Sequence, residues 1–159
     1  MKLASNFTLS ELTRTSHRRY LAENRKPPEE VVEALKDTAQ MLQTIRDHYK
    51  SPVVVHSGYR CPALNSAVGG STSSQHVAGA ACDFHVVGVP LKEAWEWIWK
   101  KSDLKFGQLI LEGWAAGEPS WIHLSLGVPY RSSHKCGQVL TWDKKNGYVR
   151  IYDNNDPMV

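Results

Sequence analysis

The order of the periodic segments restricts this chain to a mixed fold. Apolar residues recur at helical spacing from Val31 to Ile45 and predict one long helix over residues 27–49. Short β-branched or alternating runs follow, and they predict strands over residues 53–56, 81–87, 106–112, 121–126, 139–142 and 148–152. Helices first and strands afterwards are typical of an α+β domain, with a central antiparallel sheet and the N-terminal helices packed on it.

Shorter helices are predicted on either side of the first strands. The segment Phe7-Thr-Leu-Ser-Glu-Leu begins one, because Thr8 and Glu11 have the spacing of a capping box. A loop rich in turn-forming residues follows the first strand, with one helical turn expected at residues 63–68. Residues 91–101 are predicted to form another helix.

The length and composition suit one hydrophobic core. Of the 159 residues, 42% are hydrophobic and 22% are charged, as in ordinary globular proteins. We therefore expect a single domain over residues 1–159. Residues 132–159 are expected to form a C-terminal hairpin extension, with its turn at Asn146-Gly147.

Several classes of protein are disfavoured by composition. No stretch approaches the roughly 20 apolar residues that span a bilayer, so we expect no membrane insertion. The N-terminus lacks an apolar core long enough for a secretory signal. The net charge of +3 is small and no Lys/Arg-rich run occurs, so no nucleic-acid partner is expected.

The cysteines argue against two kinds of covalent or metal framework. The chain has three of them, Cys61, Cys82 and Cys136, and an odd number does not suit a set of disulfides. Without a CxxC pair, a thiolate zinc site is also disfavoured. We expect three reduced thiols, with Cys82 buried in a strand.

His76, Asp83 and His123 form the most informative set of polar residues. Two imidazoles and one carboxylate are a usual three-ligand set for catalytic zinc, which keeps one position open for water. Spacing alone also allows His76 to be a polar loop residue and His123 a histidine satisfied within the sheet.

Short sequence motifs around these residues favour the zinc interpretation. They are Ser57-Gly-Tyr-Arg60, Val68-Gly-Gly70, Ser74-x-His76-x-x-Gly79-x-Ala81-x-Asp83 and Trp121-x-His123. The chain thereby resembles the zinc D-alanyl-D-alanine carboxypeptidase family (peptidase M15-like). That family includes phage endolysins cutting L-alanyl-D-glutamate bonds and the D,D-dipeptidases of vancomycin resistance. The resemblance covers residues 6–131, and the opening segment resembles the compact phage and bacterial branch.

The resemblance implies a fold similar to D,D-peptidases and hedgehog signalling domains, and a role for each matching residue. It implies that His76, Asp83 and His123 hold one Zn²⁺ per chain. Arg60 matches an arginine that steadies the substrate's carbonyl oxygen or carboxylate, a task that suits a cationic fork. Ser74 matches a serine that contacts substrate, although it could instead stabilise its turn.

The general base is where the family pattern is broken. Several relatives carry a Glu three residues before the last histidine, and here that position is Ser120. Glu112 and Glu118 are the nearest acids. We prefer Glu112, because it ends a strand expected to pair with the His123 strand, and we keep Glu118 as the alternative base.

His85 is two residues from Asp83, so both side chains are expected on one face of the strand. His85 is therefore a candidate for supporting the ligands from outside the metal site, or for contacting substrate, competing for the metal or packing in the sheet.

Together these features predict a zinc metallopeptidase whose substrate is a peptidoglycan peptide containing D-amino acids. A phage-type endolysin acting as an L-alanyl-D-glutamate endopeptidase is favoured. The alternatives are a D,D-carboxypeptidase of the same family and a non-catalytic zinc-binding phage structural or wall-binding module. We expect a monomer that is cytoplasmic in the producing cell and acts on the cell wall after release.

Overall fold

The computed structural model describes residues 1–113 and 119–153. The helices are α1 (Leu9–Leu12), α2 (Leu21–Asn24), α3 (Glu29–Tyr49), α4 (Pro62–Ala67) and α5 (Leu91–Lys100). The strands are β1 (Lys2–Ala4), β2 (Phe7–Thr8), β3 (Val53–Ser57), β4 (Ala81–Val86), β5 (Phe106–Glu112), β6 (Trp121–Leu126), β7 (Gln138–Asp143) and β8 (Gly147–Tyr152). In these residues no helix is long and apolar enough to cross a bilayer.

Six strands form one sheet in the order β3-β4-β6-β5-β7-β8, and the helices pack on it, which confirms the predicted α+β class. Neighbouring strands are antiparallel except β5 and β7, which are parallel. The exception has a simple cause. The end of β6 lies beside the start of β5, since Leu126 pairs with Phe106. The chain then enters β7 from that same end of the sheet, so β7 runs in the direction of β5.

The helices cover one face of the sheet and build the hydrophobic core there. Leu35, Leu42 and Ile45 of α3 are fully buried, as is Ile98 of α5. On the sheet side they meet alternate residues of the central strands, chiefly Cys82, Phe84, Leu109, Ile122 and Leu124. Because side chains alternate along a strand, Asp83 and His123 project from the opposite face.

The N-terminal segment is joined to the loop after β3 by one buried amide. Asn24 is fully buried, and its Nδ2 donates to Thr13 O at 2.7 Å and to Tyr59 O at 3.0 Å. Its Oδ1 accepts from Cys61 N at 2.7 Å. These bonds hold the loop that carries Arg60 against the rest of the domain.

Turn chemistry accounts for both ends of the sequence. The capping box of α1 is present, with Glu11 N donating to Thr8 Oγ1 and Thr8 N donating to Glu11 Oε2. The predicted hairpin also forms, because Asp143 Oδ1 accepts from Asn146 N and Gly147 adopts a φ of +66°. The β1–β2 pair was not predicted, since its strands span three and two residues.

Candidate metal centre

Three buried side chains converge above the face of the sheet that the helices leave open. His76 lies in the loop before β4, Asp83 lies on β4 and His123 lies on β6. Asp83 and His123 are register partners, so their side chains stand side by side. His76 Nε2 is 3.4 Å from Asp83 Oδ1, and His123 Nδ1 is 2.9 Å from the same oxygen.

The three donor atoms fit a zinc ion in chemistry and spacing. They all lie within 4.8 Å of one another. Zinc binds imidazole nitrogen and carboxylate oxygen at about 2.0–2.2 Å, which separates tetrahedral donors by roughly 3.4 Å. The separations of the two imidazole nitrogens from Asp83 Oδ1, 3.4 Å and 2.9 Å, are close to that value. His76 and His123 both line the cleft, so a metal held by the three donors would be accessible from it.

His76 is oriented by a backbone carbonyl. Its Nδ1 donates to Gly58 O at 2.7 Å, which leaves Nε2 as the nitrogen that could bind a metal. Gly58 has no side chain, which lets this segment pass close to the end of α1. A Cβ at that position would lie 2.3 Å from Leu12 O. The Ser57-Gly-Tyr-Arg60 motif therefore includes a residue, Gly58, that orients the candidate ligand His76. The sequence analysis did not assign this role.

Arg60 contacts the metal site from the side. Its Nη2 donates to Asp83 Oδ2 at 3.1 Å and its Nε donates to Ser57 Oγ at 3.0 Å. One carboxylate oxygen thus binds the guanidinium while the other faces the two histidines. Arg60 also lines the cleft.

The ionisable groups of the cluster shift one another's pKa values. Burial by itself would raise the pKa of Asp83, but His76 and the hydrogen bonds from His123 and His76 lower that pKa well below its ordinary value. Burial would lower the pKa of His123, and Asp83 outweighs this and raises it. The carboxylate is therefore ionised, as a metal ligand must be.

Glu112 stands at the end of β5 beside the cluster. Its Oε1 is 3.9 Å from His123 Nδ1 and accepts a hydrogen bond from Trp121 Nε1 at 3.0 Å. Burial raises the pKa of this carboxyl, while His123 partly offsets the rise. Sheet register explains the placement, because Glu112 pairs with Trp121 and Ile110 pairs with His123. The predicted pairing of these two strands is confirmed.

A cleft of about 370 Å³ opens over the cluster. His76, His123, Arg60, Glu112 and Ser74 all line it. Ser74 also accepts a hydrogen bond from His76 N at 3.3 Å, so it stabilises the turn that carries the ligand. The alternative base, Glu118, lies outside the described residues.

His85 is one step removed from the cluster. Its Nδ1 is 2.6 Å from His56 Nε2, and the His56 ring lies 6.3 Å from the Trp121 ring, centroid to centroid. Trp121 in turn holds Glu112. A supporting role for His85 stays a prediction. Its contacts lead to Glu112 through the rings of His56 and Trp121.

Two cleft residues come from the C-terminal part of the chain. Arg131, in the loop after β6, and Tyr148, on β8, both line the cleft. Sequence reasoning singled out neither, because no spacing in the chain connects them to the histidines. The position of Tyr148 follows from the parallel β5–β7 pairing, which brings the C-terminal hairpin to the β5 side of the sheet.

Comparison with known protein families identifies this chain's family. A family model described as Peptidase M15 matches residues 5–125. The matched range includes Arg60, Ser74, Glu112 and the three candidate ligands, and it ends before Arg131. No curated protein matches the chain.

Proposed function

The chain belongs to the peptidase M15 family, and on that premise we propose that it is a zinc-dependent hydrolase of peptide bonds in bacterial peptidoglycan. The observation that carries the proposal is the buried His76, Asp83 and His123 group at the floor of an open cleft. One Zn²⁺ per chain would complete it. Family membership supports the metallopeptidase class, and the donor set supports zinc.

A zinc ion held by His76, Asp83 and His123 would supply Lewis acidity, which activates a carbonyl and a water molecule for hydrolysis. The protein supplies the proton transfers. Glu112 is the proposed base, because its carboxylate lies at the wall of the cleft 3.9 Å from a ligand nitrogen. After accepting the proton of the attacking water, Glu112 would deliver it to the leaving amine.

Two further residues act on the substrate in this proposal. Arg60 would donate hydrogen bonds to the carbonyl oxygen as negative charge develops on it. Its position is set in advance by Asp83 and Ser57, so the fork is not reorganised during the reaction. Ser74 would contact the peptide from the loop that precedes His76.

The proposed bond involves a D-amino acid in the stem peptide or crosslink. We favour L-alanyl-D-glutamate endopeptidase activity of the phage endolysin type, with D,D-carboxypeptidase activity as the alternative. The N-terminal segment supports the first choice through its resemblance to the compact branch, and the capping box that this segment encodes does form.

A zinc-binding module without turnover is the rival from a different class. Its support is Ser120 at the position where several relatives carry a Glu. Ser120 hydroxyl contacts Gly113 O, away from any basic role. Glu112 supplies a carboxylate beside His123 instead, and this favours the enzyme.

Digestion of purified peptidoglycan tests the proposal. We expect soluble fragments from the zinc-loaded protein and none when a chelator is present. Mass spectrometry of the new termini identifies the bond, which separates endopeptidase from carboxypeptidase action. A protein that carries one equivalent of zinc yet releases no fragment would contradict the peptidase proposal and support the non-catalytic module.

A further inference from the structure

The Arg131 guanidinium lies at one end of the cleft and has only neutral hydrogen-bond partners. The proposed function gives this residue no role. Arg131 lines this end together with Gln75 and Gln108. Its Nε donates to Lys135 O at 2.8 Å, its Nη2 to Gln138 Oε1 at 3.1 Å and its Nη1 to Gln75 Oε1 at 3.4 Å. Each acceptor is an amide or backbone carbonyl oxygen, so none of them neutralises the charge.

Arg131 differs from two other arginines, Arg60 and Arg150, because each of those has an acidic partner. Arg60 pairs with Asp83 at 3.1 Å, and Arg150 lies 3.8 Å from Asp153. Within residues 1–113 and 119–153, no carboxylate lies within ion-pair distance of Arg131. A partly buried cation without a counter-charge is costly, and an anionic ligand would remove that cost.

The surroundings hold Arg131 in place before any ligand arrives. A Cβ on Gly107 would lie 2.9 Å from Arg131 Cδ, so the missing side chain of Gly107 makes room for the arginine. Arg131 N donates to Gly127 O at 3.1 Å. The preceding Tyr130 hydroxyl donates to Asp37 Oδ2 at 2.7 Å, which fastens the loop to α3.

A guanidinium has five N–H donors, and the three hydrogen bonds described leave two of them for a ligand. We propose that Arg131 binds a carboxylate of the substrate peptide and so makes the enzyme select acidic peptides. This inference rests on the proposed function, because it assigns a further subsite to the same cleft.

Sheet register places the subsite a short distance from the metal ligands. Ile110 pairs with His123, and Gln108 lies two residues further along β5. Gln108 and Arg131 share Gln138 Oε1 as acceptor, so they lie at the same end of the cleft. At about 3.4 Å per residue, that end is roughly 7 Å along the strand from the His123 row. The selected carboxylate therefore belongs about two residues from the cleaved bond.

A pair of synthetic stem peptides tests the inference. One has every carboxylate free, and its counterpart has every carboxylate converted to carboxamide. For the wild-type enzyme we expect kcat/KM to be on the order of 10- to 100-fold higher for the acid, as a charge-assisted bidentate contact implies. In Arg131→Gln this ratio should fall towards one. Lys145→Gln removes an equal charge from the hairpin turn and should keep the wild-type ratio.

Two additions keep the test decisive. Arg131→Lys retains a cation without the fork, so its ratio should be intermediate even if Arg131→Gln fails to fold. Calorimetric binding of both peptides to the zinc-free protein gives a readout without turnover. A preference for the acid that Arg131→Gln abolishes there would support the subsite, even if neither peptide were cut and the proposed function were wrong.

Cleavage of the peptides with the same acid preference in wild type, Arg131→Lys and Arg131→Gln would overturn the subsite and leave the proposed function standing. A wild-type enzyme that cut both peptides equally well would overturn it in the same way.

Discussion

The Arg60 guanidinium and the Asp83 carboxylate form a 3.1 Å ion pair at the edge of the candidate metal centre. Arg60 occupies Oδ2, so Oδ1 is the oxygen that His76 and His123 share. The arginine therefore orients a candidate ligand as well as lining the substrate cleft. This double position makes the effect of an Arg60 substitution predictable on binding as well as on activity.

Arg60→Lys should weaken zinc binding by roughly 10- to 100-fold, because a lysine cannot hold Asp83 and Ser57 with one planar fork. Competition with a chromophoric chelator measures the affinity. Arg14→Lys is the matched control, since Arg14 is exposed and donates to the Val55 carbonyl oxygen. Equal zinc affinity in wild type and Arg60→Lys would contradict the orienting role.

His123→Ala should abolish stoichiometric zinc binding while the fold survives. The substitution removes one of the three donors, and the strand pairing of β6 does not depend on the imidazole. Zinc at a thousandfold excess over its Kd should stabilise the wild type by about 4 kcal/mol, and this gain should vanish in the variant. Thermal unfolding with and without zinc measures it, with exposed His17→Ala as control. Retention of the full gain by His123→Ala would place the metal elsewhere.

Glu112→Gln should lower kcat by about 10²- to 10⁴-fold, because the amide cannot accept the proton of the attacking water. Its carbonyl oxygen can still accept the Trp121 hydrogen bond, so zinc content and melting temperature should change little. Peptidoglycan digestion by Glu112→Gln and by Glu118→Gln compares the two acids directly. Loss of activity in Glu118→Gln alone would reverse the assignment of the base.

Asn24→Ala should destabilise the protein by about 3 kcal/mol. The buried amide makes three hydrogen bonds, and its removal leaves Thr13 O, Tyr59 O and Cys61 N without that partner. Urea unfolding measures the change in the free energy of unfolding. Arg25→Ala, at the exposed neighbouring residue, should cost less than about 0.5 kcal/mol. An equally small loss of unfolding free energy in both variants would show that the three hydrogen bonds of Asn24 do not stabilise the protein.

The Tyr130–Asp37 contact predicts a pH-dependent contribution to stability. The hydrogen bond to Asp37 raises the pKa of Tyr130 to about 12, above its usual value near 10. A raised pKa in the folded state means that the contribution is complete below about pH 10 and is lost as pH rises towards 12. The melting temperature of the wild type should therefore exceed that of Tyr130→Phe at neutral pH and converge with it at high pH. A constant difference would rule out this titration.

Local patterns were sufficient for most of the fold. Helical spacing predicted α3, which spans Glu29–Tyr49, and β-branched runs predicted the strands of the large sheet within one residue of their observed ends. The capping box of α1 and the Asn146-Gly147 turn also formed as expected. These features depend on neighbours within a few residues, and such neighbours are visible in a sequence.

The candidate metal ligands were predictable for a different reason. His76, Asp83 and His123 stood out through the words around them, and the structure brings them together. Spacing alone left open a polar loop residue and a sheet histidine. The residues that hold the ligands were harder to foresee. The contact of Gly58 O with His76 joins residues that are 18 positions apart in the sequence. The contact of Arg60 with Asp83 joins residues that are 23 positions apart.

The sequence by itself therefore determined the class of fold, the strands of the large sheet, the helices α1, α3, α4 and α5, and the three candidate metal ligands. Tertiary structure alone decided that Arg131 and Tyr148 line the cleft and that β7 runs parallel to β5. Each of these depends on strand order and register. Order and register are set by the packing of the whole sheet, because a pairing that differs by one residue would turn every side chain of the strand to the other face.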